Sequence, residues 1–382
     1  MWAKIIFTLC CFLKSAKMDS DLINFGFILQ ICCFWYLLLH YLSRRLPKDE
    51  STTAASQQEK ICIVICAHNE VENLKINLPK VLNQQNVNST IIVVNDRSTD
   101  GSKELLERFS KEYSHLKVIG ISDEQKQIPG KKFLLYEAIK AAATEKIIVT
   151  DADCFPASKN WASELCAKLS AEKQIVLGFS PFKEEPNFLN KFIRFEATQA
   201  AWLYLSMAAK GNAYMGVGRN MAFMKTDFLQ WYSNSEHKIA GGDDDLFVNA
   251  TATKSNVAVS LSAESFVFTC AKQTWSDFLA QKARHVQASF FYKKMDMLLL
   301  FFFALAQFLI VFLPFVSRVF QPYALCILAL WLTLQSVLSF KAYKKFGQTD
   351  LIKWIPLLQL IFILYLVIVF LLSLLKGKRT WN

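Results

Sequence analysis

The sequence predicts an α/β fold, a mixed and mostly parallel sheet held between apolar membrane helices. Three observations carry this expectation. Short runs rich in Ile and Val alternate with amphipathic stretches between residues 60 and 150, the rhythm of parallel strands covered by helices. Polar residues gather just after each run, where ligands of such sheets bind. Apolar runs free of Asp, Glu, Lys and Arg, each about the ~20 residues that span a bilayer, stand near both ends. One N-terminal run covers 22–42, and about three C-terminal runs cover 297–316, 323–340 and 355–375.

These runs divide the chain. Residues 1–21 form an N-terminal segment, 22–42 a transmembrane helix and 43–296 a globular domain. Residues 297–375 form a membrane region of about three helices, and 376–382 a basic tail. Met18 is an alternative start, which would leave 1–17 upstream of the protein. Arg44, Arg45 and Lys48 follow the first span and place the globular domain in the cytoplasm. Lys341, Lys344 and Lys345 fall on the same side after an out-and-back pair of spans. A third full span would put Lys376, Lys378 and Arg379 on the far side, against the rule. Either the tail is an exception, or one C-terminal segment is interfacial or re-entrant. The expectation is an integral protein of a bacterial inner membrane.

Composition narrows the partners. The chain is 53% hydrophobic with 32 Phe, and its net charge is +11. That charge suits anionic lipids or phosphorylated substrates; no nucleic-acid motif accompanies it, and no nucleic-acid partner is expected. The 10 Cys show no metal-ligand spacing, which fits a reducing compartment.

The elements follow in order. Strands are expected at 60–66, 90–94, 116–121 and 146–150, with helices at 70–82, 102–113 and 132–143. After the first strand come His68, Asn69 and Glu70. After the second come Asn95 and Asp96, leading to Gly101. After the third comes Gly130-Lys131-Lys132, and after the fourth Asp151-Ala152-Asp153. Each cluster alone has an ordinary reading as turn residues, first-turn helix charge or solvated lysines. Four in succession on one rim describe a nucleotide-diphosphate pocket. Asp96 could accept hydrogen bonds from a base or ribose, and Lys131 or Lys132 could meet phosphate. Two carboxylates as close as Asp151 and Asp153 repel unless a cation lies between them. A hard divalent ion, Mg²⁺ or Mn²⁺, suits that place.

The second half adds three motifs. Gly216-Val217-Gly218-Arg219-Asn220 is a turn where backbone can approach a ligand, and it nominates Gly218 and Asn220. Asp243-Asp244-Asp245 runs straight into apolar residues, so acids are carried inward, where one can act as a general base. Gln281, Arg284 and His285 share a helix face that could clamp a diphosphate or an acceptor. The stretch 188–207 is too charged to span; it reads as an interfacial helix or a buried core helix.

Together the motifs resemble the membrane-bound family-2 glycosyltransferases of the glycosyltransferase-A fold. AHNE at 67–70, NDRSTDGS at 95–102, the Asp151/Asp153 pair, GDDDLF at 242–247 and QKARH at 281–285 carry the resemblance. It implies inverting transfer of a hexose from a nucleotide sugar to a lipid-linked or glycan acceptor of the cell envelope. His68, Asn69, Glu70, Asp96, Lys131, Lys132 and Asp151 are then nucleotide-sugar residues. Asp151 and Asp153 are metal ligands, and Gly218, Asn220, Gln281, Arg284 and His285 face the acceptor or diphosphate. Asp243 is the implied base, with Asp244 as the alternative. Two departures stand out. Gly242 replaces a Glu, and His285 replaces a Trp, which weakens a processive polysaccharide synthase. A phosphotransferase of the haloacid-dehalogenase type would carry its acid pair after the first strand, with Thr or Val where Phe155 stands. A non-catalytic scaffold would not need acids at every cluster.

Overall fold

The computed structural model describes residues 46, 59–122, 130–235, 242–316 and 321–375. The expected span at 22–42, the start at Met18 and the tail at 376–382 lie outside them.

Four strands, β1 (Lys60–Ala67), β2 (Asn88–Asp96), β3 (Leu116–Ile121) and β4 (Lys146–Asp151), pair in parallel in the order β3-β2-β1-β4. Their unbroken apolar runs demand cover on both faces. Three helices supply much of it: α1 (Val71–Leu82), α2 (Ser102–Glu112) and α3 (Lys131–Ala141). Ile61, Ile63 and Ile65 of β1 join the cluster of Leu74, Leu78 and Leu106, while Cys62, Val64 and Cys66 join that of Leu134, Leu135 and Ile139. Period-two alternation thus feeds two cores. The register sets Ala67 opposite Asn95 and Cys66 opposite Asp151, so the polar strand ends meet on one rim.

Beyond β4 the sheet reverses. Three more strands follow among the described residues: β6 (Ile175–Gly178), β7 (Met221–Met224) and β8 (Val257–Ser260). Strand β7 is antiparallel to both β4 and β6, and β8 closes the edge parallel to β6. Because β7 points the other way, the loop that precedes it, 216–220, reaches the ligand rim. A separate antiparallel pair joins β5 (Cys154–Pro156) to β9 (Val267–Thr269). The helices of this half are α4 (Trp161–Cys166), α5 (Phe188–Ala209), α6 (Lys225–Asn234), α7 (Asp245–Thr251) and α8 (Trp275–Ser289).

Helix α5 takes the buried of its two expected places. Phe192, Ile193 and Phe195 are fully enclosed. Its charges have partners inside the protein. Arg194 donates to both carboxylate oxygens of Asp350 at 2.9 and 2.7 Å and to Gln348 at 2.9 Å. Glu196 pairs with Lys282 at 2.6 Å.

The C-terminal helices are α9 (Lys294–Val316), α10 (Ala324–Lys345) and α11 (Ile355–Leu375). Among the described residues, three segments are long and apolar enough to cross a membrane: Lys294–Val316, Gln321–Lys345 and Thr349–Leu375. Ile310 of α9 and Trp331 of α10 share a buried cluster. The last turns of α10 enter the globular domain, where Phe346 lies 4.6 Å from the ring of Phe179, just past β6.

Candidate active site

The rim is assembled from strand ends. At β1, His68 Nδ1 donates to the Asp96 carbonyl at 2.5 Å. The Asn69 N–H donates to Ser98 Oγ at 2.9 Å, and its Oδ1 accepts from the Thr99 N–H at 2.8 Å. Asn69 therefore stitches the β1 loop to the β2 loop. Asn69 and Arg97 both adopt φ of 55°, a left-handed conformation that Asn tolerates and Arg resists. Strain of this kind collects at ligand sites. Asp96 is buried, and its carboxylate accepts from Arg97 Nε at 2.9 Å.

The acid pair follows β4. Lys131, only 8% exposed, donates from Nζ to Asp151 Oδ1. Burial alone would raise the Asp151 carboxyl, but Lys131, then Arg219 and His285, hold it below its ordinary value. Asp151, Asp153 and Cys154 bring one donor atom each to within 4.8 Å of one another. Burial, then Asp153 and Asp151, push the Cys154 thiol well up, so it stays protonated and donates to Asp153 Oδ1 at 3.2 Å. Glu70 stands nearby. Burial raises its carboxyl, Asn73 pulls it down, and Asp153 and Asp151 push it back up. Carboxylates crowded this way fit a hard divalent cation, and the protonated thiol does not compete for one.

The acids before α7 separate into three roles. Gly242 turns the chain with φ of 76°, in the region that favours glycine, which accounts for its replacing the expected Glu. Asp244 caps α7, accepting from the Asp245 N–H at 2.8 Å and from the Gly218 N–H at 2.7 Å. A Cβ on Gly218 would lie 3.2 Å from that same carboxylate, so glycine permits the contact. Asp245 is buried against the Tyr292 hydroxyl; burial, then Asp244, drive its carboxyl well up. Asp243 takes no hydrogen bond from any other described residue. Burial raises it, Lys131 pulls it down, and Asp244 and Asp151 push it back to about 6.

The two lysines of α3 divide between these groups. Lys131 serves Asp151. Lys132, 2% exposed, lies 5.6 Å from the Trp231 ring; burial lowers its ammonium while Asp243 and Asp244 hold it charged. The surface reading of this pair is therefore excluded. On α8, Gln281 is half-buried, while Arg284 and His285 open to solvent at the cleft mouth. The protein around His285, then Lys282, lower its imidazole against the pull of Asp244, with Arg219 and Arg284 adding to the fall; solvent at the exposed ring limits the shift.

Asn220 does not face the cleft. It is 0% exposed, donates to the Phe179 and Ser265 carbonyls at 2.7 and 2.8 Å, and accepts from Trp161 Nε1 at 2.9 Å. It pins the loop that carries Gly218. Its neighbour Arg219 went unnominated in the sequence reading, yet its charge acts on Asp151, Cys154 and His285, and its guanidinium lies 4.8 Å from the Phe182 ring. Its place between two nominated residues was the available signal.

Comparison with known proteins bears on this rim. Residues 62–230 match the model of the family described as Glycosyl transferase family 2. The "Probable glycosyltransferase YdaM" of Bacillus subtilis (strain 168) is 25% identical over 197 residues, 47% of this chain and 46% of that one. The match therefore spans under half the length of that relative. Among solved structures, mannosyltransferase PcManGT from Pyrobaculum calidifontis, in complex with GDP-Man and Mn²⁺, aligns with a TM-score of 0.54. The identity is 15%, over 92% of this chain and 99% of that one. TarS 1–349 of S. aureus, in complex with UDP-GlcNAc, aligns more weakly, with a TM-score of 0.41 and 13% identity over 77% of this chain and 90% of that one. At these identities the structural likeness is one of fold. The acid-rich rim thus lies on a glycosyltransferase-A-like sheet, and residues 62–230 are similar to the glycosyl transferase family 2 domain.

Proposed function

We propose that the chain moves one sugar from a nucleotide-diphosphate sugar to a hydroxyl of a membrane-associated lipid or glycan acceptor, with inversion. The observation that carries this reading is Asp243. Its carboxyl is raised to about 6, has no hydrogen bond from another described residue, and interacts with Asp151 and Lys131 across the rim.

Asp96 would hold the base or ribose, with His68, Asn69 and Glu70 shaping the loops around it. Lys131 and Arg219 would face the diphosphate. Asp151 and Asp153 would hold a divalent cation, Mg²⁺ or Mn²⁺, whose charge offsets that of the diphosphate. The Mn²⁺ and GDP-Man in the complex of the similar mannosyltransferase support this class of donor and ion. Asp243 takes the proton of the acceptor hydroxyl as its oxygen bonds to the anomeric carbon. The bond from that carbon to the phosphate oxygen breaks, and its electron pair leaves with the nucleoside diphosphate. Gln281, Arg284 and His285 line the acceptor side. His285, in place of Trp, favours single addition over polymer growth.

Lys293, Lys294, Lys341, Lys344 and Lys345 flank the ends of α9 and α10 that meet the globular domain, which supports a cytoplasmic catalytic domain. We place the protein in a bacterial inner membrane. The test is thermal stabilisation of detergent-purified protein by UDP, GDP, CDP or dTDP, each with Mn²⁺, Mg²⁺ or EDTA. A shift with one nucleotide that EDTA abolishes is expected. Asp243→Asn should keep that shift and lose transfer; transfer near the unmutated rate would overturn the assignment of the base.

A further inference from the structure

Helix α11 is long and apolar enough to cross a bilayer, yet its contacts do not run away from the globular domain. A straight helix of 21 residues is about 31 Å long, close to the thickness of the hydrocarbon core. If such a helix crossed the membrane and one end touched the domain, the other would lie in the opposite leaflet. In α11 both ends and the middle touch the domain.

The approach to α11 is held by Asp350, paired with buried Arg194 of α5 at 2.9 and 2.7 Å. At its middle, Phe362 lies 5.8 Å from Phe195 of α5, and Tyr365 lies 5.6 Å from Phe278 of α8. The Tyr365 hydroxyl also donates to Glu196 at 3.2 Å. Near its end, Gln287 of α8 donates to the Ser373 carbonyl at 3.0 Å, and Phe290 lies 6.4 Å from Phe370.

Helix α8 belongs to the domain along this whole length. Lys282 pairs with Glu196, and past its end the Lys293 N–H donates to buried Asn249 at 2.8 Å. The opposite side of α11 is exposed and apolar: Leu357, Leu364, Ile368, Leu371, Leu374 and Leu375. Lys376, Lys378 and Arg379 follow in sequence.

We propose that α11 lies in the plane of the membrane, in the leaflet beside the catalytic domain, and does not cross it. The protein takes its inner side, and the acyl chains of that one leaflet take its outer side. Only α9 and α10 then cross, out and back. Lys376, Lys378 and Arg379 fall beside the anionic headgroups on the domain's own side, which removes the breach of the charge rule. The apolar strip lies directly behind the helix that carries Gln281, Arg284 and His285, so an acceptor held in that leaflet needs no path across the bilayer.

The test uses the full chain in sealed vesicles of one orientation, with an epitope after Asn382 and no nucleotide. In a chain carrying Cys326→Ser, exposed Cys270, followed by mass mapping of the membrane-impermeant maleimide it takes up, marks the side of the domain. Protease should remove the epitope from vesicles whose Cys270 is labelled; an epitope protected there overturns the proposal. Spin labels at Leu364→Cys and Leu371→Cys, both on the exposed side, separate an in-plane helix from one that dips. Equal shallow depth is expected, and a depth that changes by a full helical rise between them overturns the proposal. Neither readout depends on sugar transfer.

Discussion

Replacing Asp243 by Asn should abolish transfer and make the protein more stable at neutral pH. The carboxyl is raised from 3.8 to about 6, because burial and the neighbouring acids Asp244 and Asp151 outweigh the pull of Lys131. The folded state therefore prefers the protonated form. The cost of ionising Asp243 is absent below the unfolded value of 3.8 and complete once pH passes the folded value of about 6. Two pH units correspond to about 3 kcal/mol. The cleft is open to water, which screens the charges and brings this to about 1–2 kcal/mol. Asn keeps the shape and discards the charge, so the variant should gain that amount at pH 8, a rise in Tm of about 2–4 °C. The gain should shrink to about half by pH 5, as the native carboxyl takes up its proton. Thermal unfolding in detergent at the two pH values measures both quantities. A less stable variant, or a gain that does not depend on pH, would refute the electrostatic account of this residue.

The same carboxyl predicts an acidic limb in kcat/KM near pH 6, with about a tenfold fall between pH 7 and pH 5; replacing Lys131 by Met should move the limb upward, and a limb that stays put would detach Asp243 from it. The pair of Arg194 with Asp350 is asymmetric, the side chains being 3% and 35% exposed. Asp350→Ala strands a buried guanidinium and should cost about 3 kcal/mol, while Arg194→Met leaves a carboxylate that water can reach and should cost about half as much; denaturant titration of both variants orders them. Asn220→Ala orphans the Trp161 N–H and two carbonyls, and should lower stability by about 2–4 kcal/mol while nucleotide affinity in the folded fraction stays unchanged.

What could be read from the sequence was what local chemistry decides. The runs that became β1, β2 and β4 are apolar on both faces because both faces are covered, and no soluble alternative suits such a run. The acids and lysines beyond their ends landed on one rim because parallel strands send all their carboxyl ends the same way. Strands β6, β7 and β8 escaped notice because each has four residues, too few to show a period. The burial of Lys131 and Lys132 also could not be read, since a lysine pair is usually solvated and the carboxylates that enclose these two come from residues 151 and 243–244. Arg194 left α5 undecided between the membrane interface and the core, because its partner lies 156 residues further on. Asn220 looked like a ligand contact for the same reason: a buried amide and an exposed one have the same sequence signature until their partners are known.

The seating of Phe346 against Phe179 sets an order of events during synthesis. The strands of the sheet leave the ribosome first, and domains tend to fold as they emerge. Here β6 is followed at once by Phe179, whose ring packs against Phe346 just past α10, and the core beside Phe195 waits for Tyr343. Neither cover exists until α9 and nearly all of α10 have been made. A chain halted before residue 338 would hold the strands of its sheet with part of their interior open. Docking of the C-terminal helices, with α11 made last, therefore completes the domain's own core.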